Sequence, residues 1–151
     1  MSFRIMQAAV IGAGTMGGGI ATLLANAGLS VCLLDVVPTA LTAEDESRRL
    51  SPDSPSFRNR IARAGFDRIL EARPPALFTP EVAGRIRIGN VEDNLDWVSK
   101  ADWIVEAIVE DVAIKRELMP CLEHVRRPGS IVSSNTSGIP IGSIAEGRSA
   151  E

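Results

Sequence analysis

A doubly wound α/β fold, three layers with helices on both faces of a parallel sheet, is the class that this 151-residue sequence predicts. Three observations point to it. Five short β-rich runs alternate with helical or irregular stretches along the chain. The clearest of these runs, "AAVI" and "VCLL", are apolar at consecutive rather than alternate positions, which marks strands covered on both faces. The first run leads directly into "VIGAGTMGGGIA", residues 10–21, where five of twelve residues are glycine. A strand-to-helix junction with that composition needs bare backbone.

Residues 7–11, "QAAVI", are the first strand. Residues 15–27 place Met16, Ile20, Leu23, Leu24 and Ala27 at helical spacing, and Gly28 follows as the stop. "SVCLLD", 30–35, is the second strand and ends in an acid. Strand, glycine turn, helix and strand make a βαβ unit. Residues 38–55 are polar and proline-marked, and read as one helix with a loose tail. Residues 56–72 read as a helix with Phe57, Ile61, Ala64, Gly65 and Ile69 on one stripe. Arg58, Arg60, Arg63 and Arg68 fall outside that stripe and read as a solvated face. Residues 73–84 read as a loop with at most a helical turn, and 85–89 as the third strand. A short helix over 93–101, a strand over 102–110 running into a loop, and an amphipathic helix over 112–125 follow. "RRPG" ends that helix, and 130–135 is the fifth strand. There is no internal repeat and no low-complexity segment.

Composition narrows the function. Hydrophobic residues make up 45% and charged residues 23%, as in an ordinary globular domain. A net charge of −3 gives no reason to expect a nucleic-acid partner. No apolar run reaches membrane-spanning length. The first strand starts so early that no signal or transit peptide is expected before it, which implies a cytoplasmic protein. Cys32 and Cys121 lack metal-ligand spacing, so no metal is expected, and both read as small buried thiols.

The spacing Gly12-x-Gly14-x-x-Gly17 fits the dinucleotide fingerprint of the Rossmann-type fold. Gly12 lets the chain turn sharply out of the strand. Gly14 has no side chain to hold a pyrophosphate away from the backbone. Gly17 lets the helix pack close to the first strand. Ala13, Thr15 and Met16 complete the turn. Phosphates would then rest on the free N–H groups of the helix, where the dipole favours anions. Asp35 comes eighteen residues after Gly17 and would accept hydrogen bonds from both adenosine ribose hydroxyls. A 2′-phosphate there would face a carboxylate, and no arginine follows in "DVVP". The expected cofactor is NAD rather than NADP.

Four motifs in order, "VIGAGTMGGGIA", "DWIVEAIVE", the lysine of "AIKRELM" and "SSNTSGIPI", resemble the NAD-binding domain of the 3-hydroxyacyl-CoA dehydrogenases. The middle, "RNRIARAGFDRILEARPPALF", is similar to the variant at the start of long bacterial fatty-acid oxidation proteins, where an enoyl-CoA hydratase module often follows. The resemblance implies oxidation of a 3-hydroxyacyl-CoA by hydride transfer to NAD in β-oxidation, with the acyl-CoA bound by the parent enzyme. It implies that the 12–17 turn, Met16 included, lines the pyrophosphate and that Asp35 takes the ribose. Ile108, Val109 and Glu110 would border the cofactor, and Lys115 would lie near the cofactor and the thioester. Asn135 and Ser137 would stand beside the nicotinamide, Ser137 in a supporting catalytic role. Plainer readings stand beside these. Glu110 and Lys115 would make an ordinary surface ion pair, and Asn135 and Ser137 would cap a turn. The arginines of 56–72 would meet CoA phosphates in the family manner or simply face water.

In this family a histidine takes the hydroxyl proton and a glutamate orients it. The resemblance places that histidine beyond Ser137, in a strand like "HFFNP", which these residues do not include. The single histidine, His124, is expected near the far end of its helix and away from the ligand. Residues 1–151 are therefore expected to be an NAD-binding domain incomplete at its C-terminus, with the helical substrate domain elsewhere and no activity of its own. A strand order of 3-2-1-4-5 would leave the fifth strand as an unprotected edge, open to pairing with a second copy in a homodimer. Two other functions stay open: a stand-alone NAD-binding module without catalysis, and a dehydrogenase of small hydroxy acids. "SSNTSGIP" and "EAIVE" count against the latter. A reading frame continuing into an "HFFNP"-like strand would exclude the former.

Overall fold

The structure, a computed structural model, describes residues 4–149; Met1–Phe3, Ala150 and Glu151 of the expected 1–151 domain lie outside the described residues. Five parallel strands form one sheet in the order β3-β2-β1-β4-β5. They are β1 (Gln7–Ile11), β2 (Ser30–Asp35), β3 (Ile86–Asn90), β4 (Trp103–Glu106) and β5 (Ile131–Ser134). The central strands are short apolar runs because each face of the sheet is covered. Ala8, Val10, Val31, Leu33 and Val105 pack against α1 (Thr15–Asn26) and α4 (Arg60–Glu71). Ala9, Ile11, Leu34 and Ile104 pack on the other face against α5 (Val112–Val125) and α6 (Ile141–Ile144). The doubly wound, three-layer expectation holds. Asp102 fastens the start of the sheet: its carboxylate accepts the N–H groups of Met6 (2.7 Å) and Gln7 (2.9 Å) and pairs with Arg127.

Helices depart from the sequence reading in informative ways. The buried face of α1 is Gly17, Gly18, Ala21, Thr22, Leu24 and Ala25, while Met16 and Leu23 are exposed. Small residues, not large ones, mark the packed side. A Cβ on Gly17 would collide with the Gly12 carbonyl, and Gly18 lies against Ile69. The expected helix over 38–55 shrinks to α2 (Ala43–Ser47), closed by a capping box between Thr42 and Asp45. The helix expected over 56–72 is split at Asn59 into α3 (Pro55–Arg58) and α4. The Asn59 amide oxygen accepts a 2.7 Å bond from the Asn90 side chain on β3, which ties this junction to the sheet. Within the stripe expected there, Phe57, Gly65 and Ile69 are buried, but Ala62 takes the place assigned to Ala64. The short link over 93–101 is a 3₁₀ stretch, Leu95–Lys100, rather than an α-helix. A second 3₁₀ stretch, Pro80–Arg85, is the helical turn of the 73–84 loop.

The two cysteines also differ. Cys32 lies in β2, and burial pushes its thiol pKa up to about 11, which makes it inert. Cys121 is exposed on α5, against expectation, because α5 buries Lys115, Met119 and Leu122 instead. At the β5 edge, Ile131, Val132 and Ile141 are exposed beside a groove of about 430 Å³ lined by Leu122, Ile144 and their neighbours. No helix of the described residues is long and apolar enough to cross a membrane.

Gly65 brings α4 against the glycine turn, and a Cβ there would meet the Ala13 carbonyl and lie 2.7 Å from the Ala13 Cβ. Gly65→Ala should therefore cost about 1–3 kcal/mol, the usual result of overpacking. Gly19 is also helical but has open space around its missing Cβ. Gly19→Ala should stabilise by about 0.5–1 kcal/mol. Urea midpoints of the two variants check both signs.

Candidate functional site

The carboxyl ends of β1, β2 and β4 meet at the glycine turn, and that of β5 lies next to β4 on the same edge of the sheet. Gly12 N–H donates to the Leu34 carbonyl at 2.7 Å, and Ala107 N–H to the Ile11 carbonyl at 2.8 Å, which carries the ladder past the strand ends. Gly12 has φ +105°, and a Cβ on it would run into the Ala107 carbonyl. Packing thus requires both Gly12 and Gly17. Gly14 is different. Its φ of −67° and ψ of −173° suit any residue, and a Cβ on it would meet no atom within 4 Å. Nothing in the fold calls for a glycine here; a ligand lying on the backbone would. Helix α1 starts at this point with no side-chain cap and no acid in its first turn. Its first N–H groups are left for an anion. Thr15 and Met16 are exposed beside them.

Both sides of the turn are held. Asp35, at the end of β2, accepts the Ala13 N–H at 2.5 Å through one oxygen and the Val36 N–H at 2.7 Å through the other. From α4, Arg68 donates to the Ala13 carbonyl at 2.8 Å. This corrects the reading of the arginines as a merely solvated face. Arg58 is chelated by Asp93 at 2.6 Å and Glu92 at 2.9 Å, and Arg60 pairs with Asp45. Only Arg63, 3.9 Å from Asp67, makes the loose helical pair expected of such a face.

Beyond β4 lies a cluster that the sequence reading found only in part. Lys115 and Glu106 are both 0% exposed, and their charged ends are 2.7 Å apart. Glu106 also accepts the Ile108 N–H at 2.8 Å and the Ser134 hydroxyl from β5. Glu110 stands 3.5 Å from the Lys115 ammonium. In place of the plainer reading of a surface pair between Glu110 and Lys115, there is a buried Lys115–Glu106 pair with the exposed Glu110 as a second, more distant carboxylate. Glu110 accepts the Thr136 hydroxyl and the N–H groups of Ser137 (3.3 Å) and Gly138 (3.2 Å). Those bonds, led by the Thr136 hydroxyl, and the nearby ammonium lower its pKa from the ordinary 4.5. Glu110 therefore clasps the loop after β5 to the loop after β4. Asn135 continues the ladder through a 2.7 Å bond to the Glu106 carbonyl, and its side chain is exposed. Ser137 is exposed too, while Thr136 caps the turn by accepting the Ile139 N–H. Ile108 is half-buried, and Val109 is exposed.

Glu106 and Thr136 escaped the sequence reading. The available signal was a glutamate ending an apolar strand, nine residues before a lysine. His124 sits in the last turn of α5, exposed, as expected. Nine helical residues separate it from Lys115, about 13 Å of rise, too far to reach the strand ends.

The description "3-hydroxyacyl-CoA dehydrogenase, NAD binding domain" belongs to the family model that matches residues 7–151. A probable 3-hydroxyacyl-CoA dehydrogenase of Bacillus subtilis is 44% identical over 149 residues, 99% of this chain and 19% of that protein. A second, from Deinococcus radiodurans, is 44% identical over 97% of this chain and 38% of that one. The crystal structure of 3-hydroxybutyryl-CoA dehydrogenase from Escherichia coli is similar with a TM-score of 0.63 at 29% identity, over 97% of this chain and 28% of that one. The chain spans well under half the length of each.

Glu110 titrates from a lowered folded value, so its clasp contributes stability above pH 4.5, lost as pH falls through the folded value. Asp102, lowered chiefly by the Met6 N–H, acts in the same direction. The melting temperature should be level near neutrality and drop in acid. Glu110→Gln should flatten that drop, as thermal melts across pH 3–7 would show on the scale of ordinary carboxylate titration.

Proposed function

The chain belongs to the 3-hydroxyacyl-CoA dehydrogenase family as its NAD-binding domain, and on that premise we propose that it is the cofactor-holding part of a longer oxidoreductase. That enzyme oxidises (3S)-3-hydroxyacyl-CoA to 3-ketoacyl-CoA in fatty-acid β-oxidation. The observation that carries this reading is the open space at Gly14, a cradle that a Cβ would fill and that the fold itself does not need.

The residues divide the work. The 12–17 turn and the first N–H groups of α1 receive the pyrophosphate. Asp35, already oriented by the Ala13 and Val36 N–H groups, keeps lone pairs for the ribose hydroxyls. Val109, Glu110, Asn135 and Ser137 border the nicotinamide between the loops after β4 and β5. Bound there, NAD supplies the hydride acceptor. Lys115 serves this end through Glu110, since its own ammonium is enclosed. Ser137, exposed at the loop tip, is placed to bond the substrate oxygen. The proton acceptor comes from beyond these residues: His124 is remote, and the carboxylates of the cluster are held by other groups. The open β5 edge is where a second copy or further chain would pair.

Gly14→Val should abolish NADH binding in titration calorimetry while leaving circular dichroism and melting temperature unchanged, since the branched side chain enters ligand space only. Normal binding by the variant would remove the phosphates from this turn.

Residues 1–151 alone should bind NADH yet show no turnover of acetoacetyl-CoA in an NADH-absorbance assay. Loss of a positioned general base costs about 10²–10⁴ in rate. Loss of the surfaces that align the thioester removes proximity as well, on the order of 7–11 kcal/mol in well-oriented systems. Robust turnover would place the base inside this chain.

A further inference from the structure

We propose that Glu106 is a positioning residue for the nicotinamide end of the site: it neutralises Lys115 inside the fold and so leaves Glu110 free to clasp the 136–138 loop. The proposal rests on the reading that NAD binds here with its nicotinamide beside that loop.

The geometry makes the two carboxylates competitors for one ammonium. Lys115 Nζ is enclosed, so its charge must be met by the groups that surround it. Glu106 meets it at 2.7 Å, and Glu110 stands off at 3.5 Å. Glu106 cannot leave: it is fully buried at the end of β4 and held by the Ile108 N–H and the Ser134 hydroxyl. Glu110 can move, because its side chain is 44% exposed and lies on a loop. Its present bonds, to the Thr136 hydroxyl and the Ser137 and Gly138 N–H groups, fix the shape of the loop after β5. If Glu106 lost its charge, the enclosed ammonium would have one carboxylate left. Glu110 would close the gap to Lys115 and release the loop. Glu106 touches neither cofactor nor substrate in this arrangement. It acts on the loop through two intermediates, and only at one end of the dinucleotide. Asp35, which on that reading holds the adenosine end, closes β2 on the other side of β1 from Glu106.

Glu106→Gln in the full chain tests this, because glutamine keeps the size and an oxygen for the Ile108 N–H, while its NH2 can donate to the Ser134 hydroxyl in place of accepting from it. Amide hydrogen exchange of the ligand-free protein should speed up about tenfold at Ser137 and Gly138, the loss expected for one charged hydrogen bond. NADH affinity should fall by about the same factor, while ADP-ribose, which lacks nicotinamide, should bind within about twofold of the unmodified chain. The double variant Glu106→Gln/Lys115→Met removes both buried charges, so nothing pulls on Glu110. Its exchange at Ser137 and Gly138 should return to the unmodified rate. A purely structural role for Glu106 would weaken both ligands together or leave the double variant as loose as the single one, and either result overturns the proposal. So does unchanged exchange in Glu106→Gln. Should that variant fail to fold, the double variant decides alone: a protected loop supports the proposal, and a loose loop ends it. If the unmodified chain binds neither NADH nor ADP-ribose, the reading of the site falls, and the exchange rates still decide the role of Glu106.

Discussion

The ligand end of this molecule depends on how closely backbones approach one another at the glycine turn. Gly12 lies against Ala107 after β4, Gly17 against the Gly12 carbonyl, and Gly65 of α4 against the Ala13 carbonyl. A single methyl group at any of the three would force two elements apart. The approach sets where α1 starts relative to β1, and it keeps side chains out of the space above the strand ends. What remains there is backbone: an uncapped helix start and a turn whose N–H groups are aimed by their neighbours. A surface of bare N–H groups suits an anion better than any other ligand. Asp35 and Arg68 then fix the turn from opposite sides, one on the Ala13 N–H and the other on its carbonyl.

The other half of the site is built on the opposite principle. Around β4 and β5 the ligand-facing loops are shaped by charged side chains that hold one another. A buried ion pair is costly to desolvate and becomes tolerable only when its remaining lone pairs and protons are met. Here Ile108 and Ser134 complete Glu106, and Glu110 adds a second carboxylate to Lys115. The cluster joins β4, α5, β5 and both following loops. One half of the site is therefore rigid through close backbone packing. The other is held by charged side chains that bond to one another and to the loop backbone.

The central strands were legible in the sequence because burial on both sheet faces writes them as unbroken apolar runs, whereas β3 alternates and β5 is largely exposed. The glycine turn was legible because few structures need that spacing. The packed side of α1 was not, because closeness there is achieved by Gly17, Gly18, Ala21 and Ala25, and a search for large apolar residues selects Leu23 instead. The 93–101 segment forms a 3₁₀ stretch over Leu95–Lys100, which its composition did not distinguish from a short α-helix. Glu106 was hidden by its neighbours: one acid ending an apolar run reads as a solvated strand end unless the lysine that folds over it is known. Arg68 was hidden by company, three similar arginines of which none touches the turn. In each case the missing information was tertiary, a partner distant in sequence.

The charge arrangement also bears on which chemistry these residues can perform. Proton abstraction at a carbinol needs a group that is free, near the reacting carbon and able to change its charge near neutral pH. On the reading proposed Glu110 borders the nicotinamide, but its bonds to Thr136, Ser137 and Gly138 hold its pKa below the ordinary carboxylate value, which makes it a poor base. Lys115 is enclosed between two carboxylates. Asp35 is at the other end of the dinucleotide on the reading proposed, and His124 is a helix length away. These groups are arranged to hold a shape rather than to trade protons. Ser137, Asn135 and Val109 are exposed where the two loops meet, and the half-exposed Glu110 carboxylate beside them is tied to the 136–138 loop. On the reading proposed, a base brought to that face from another part of the enzyme would find donors and acceptors to bond with, and a carboxylate already engaged by its own loop. A binding domain that keeps its own charges engaged in this way permits the base to be supplied, and tuned, elsewhere.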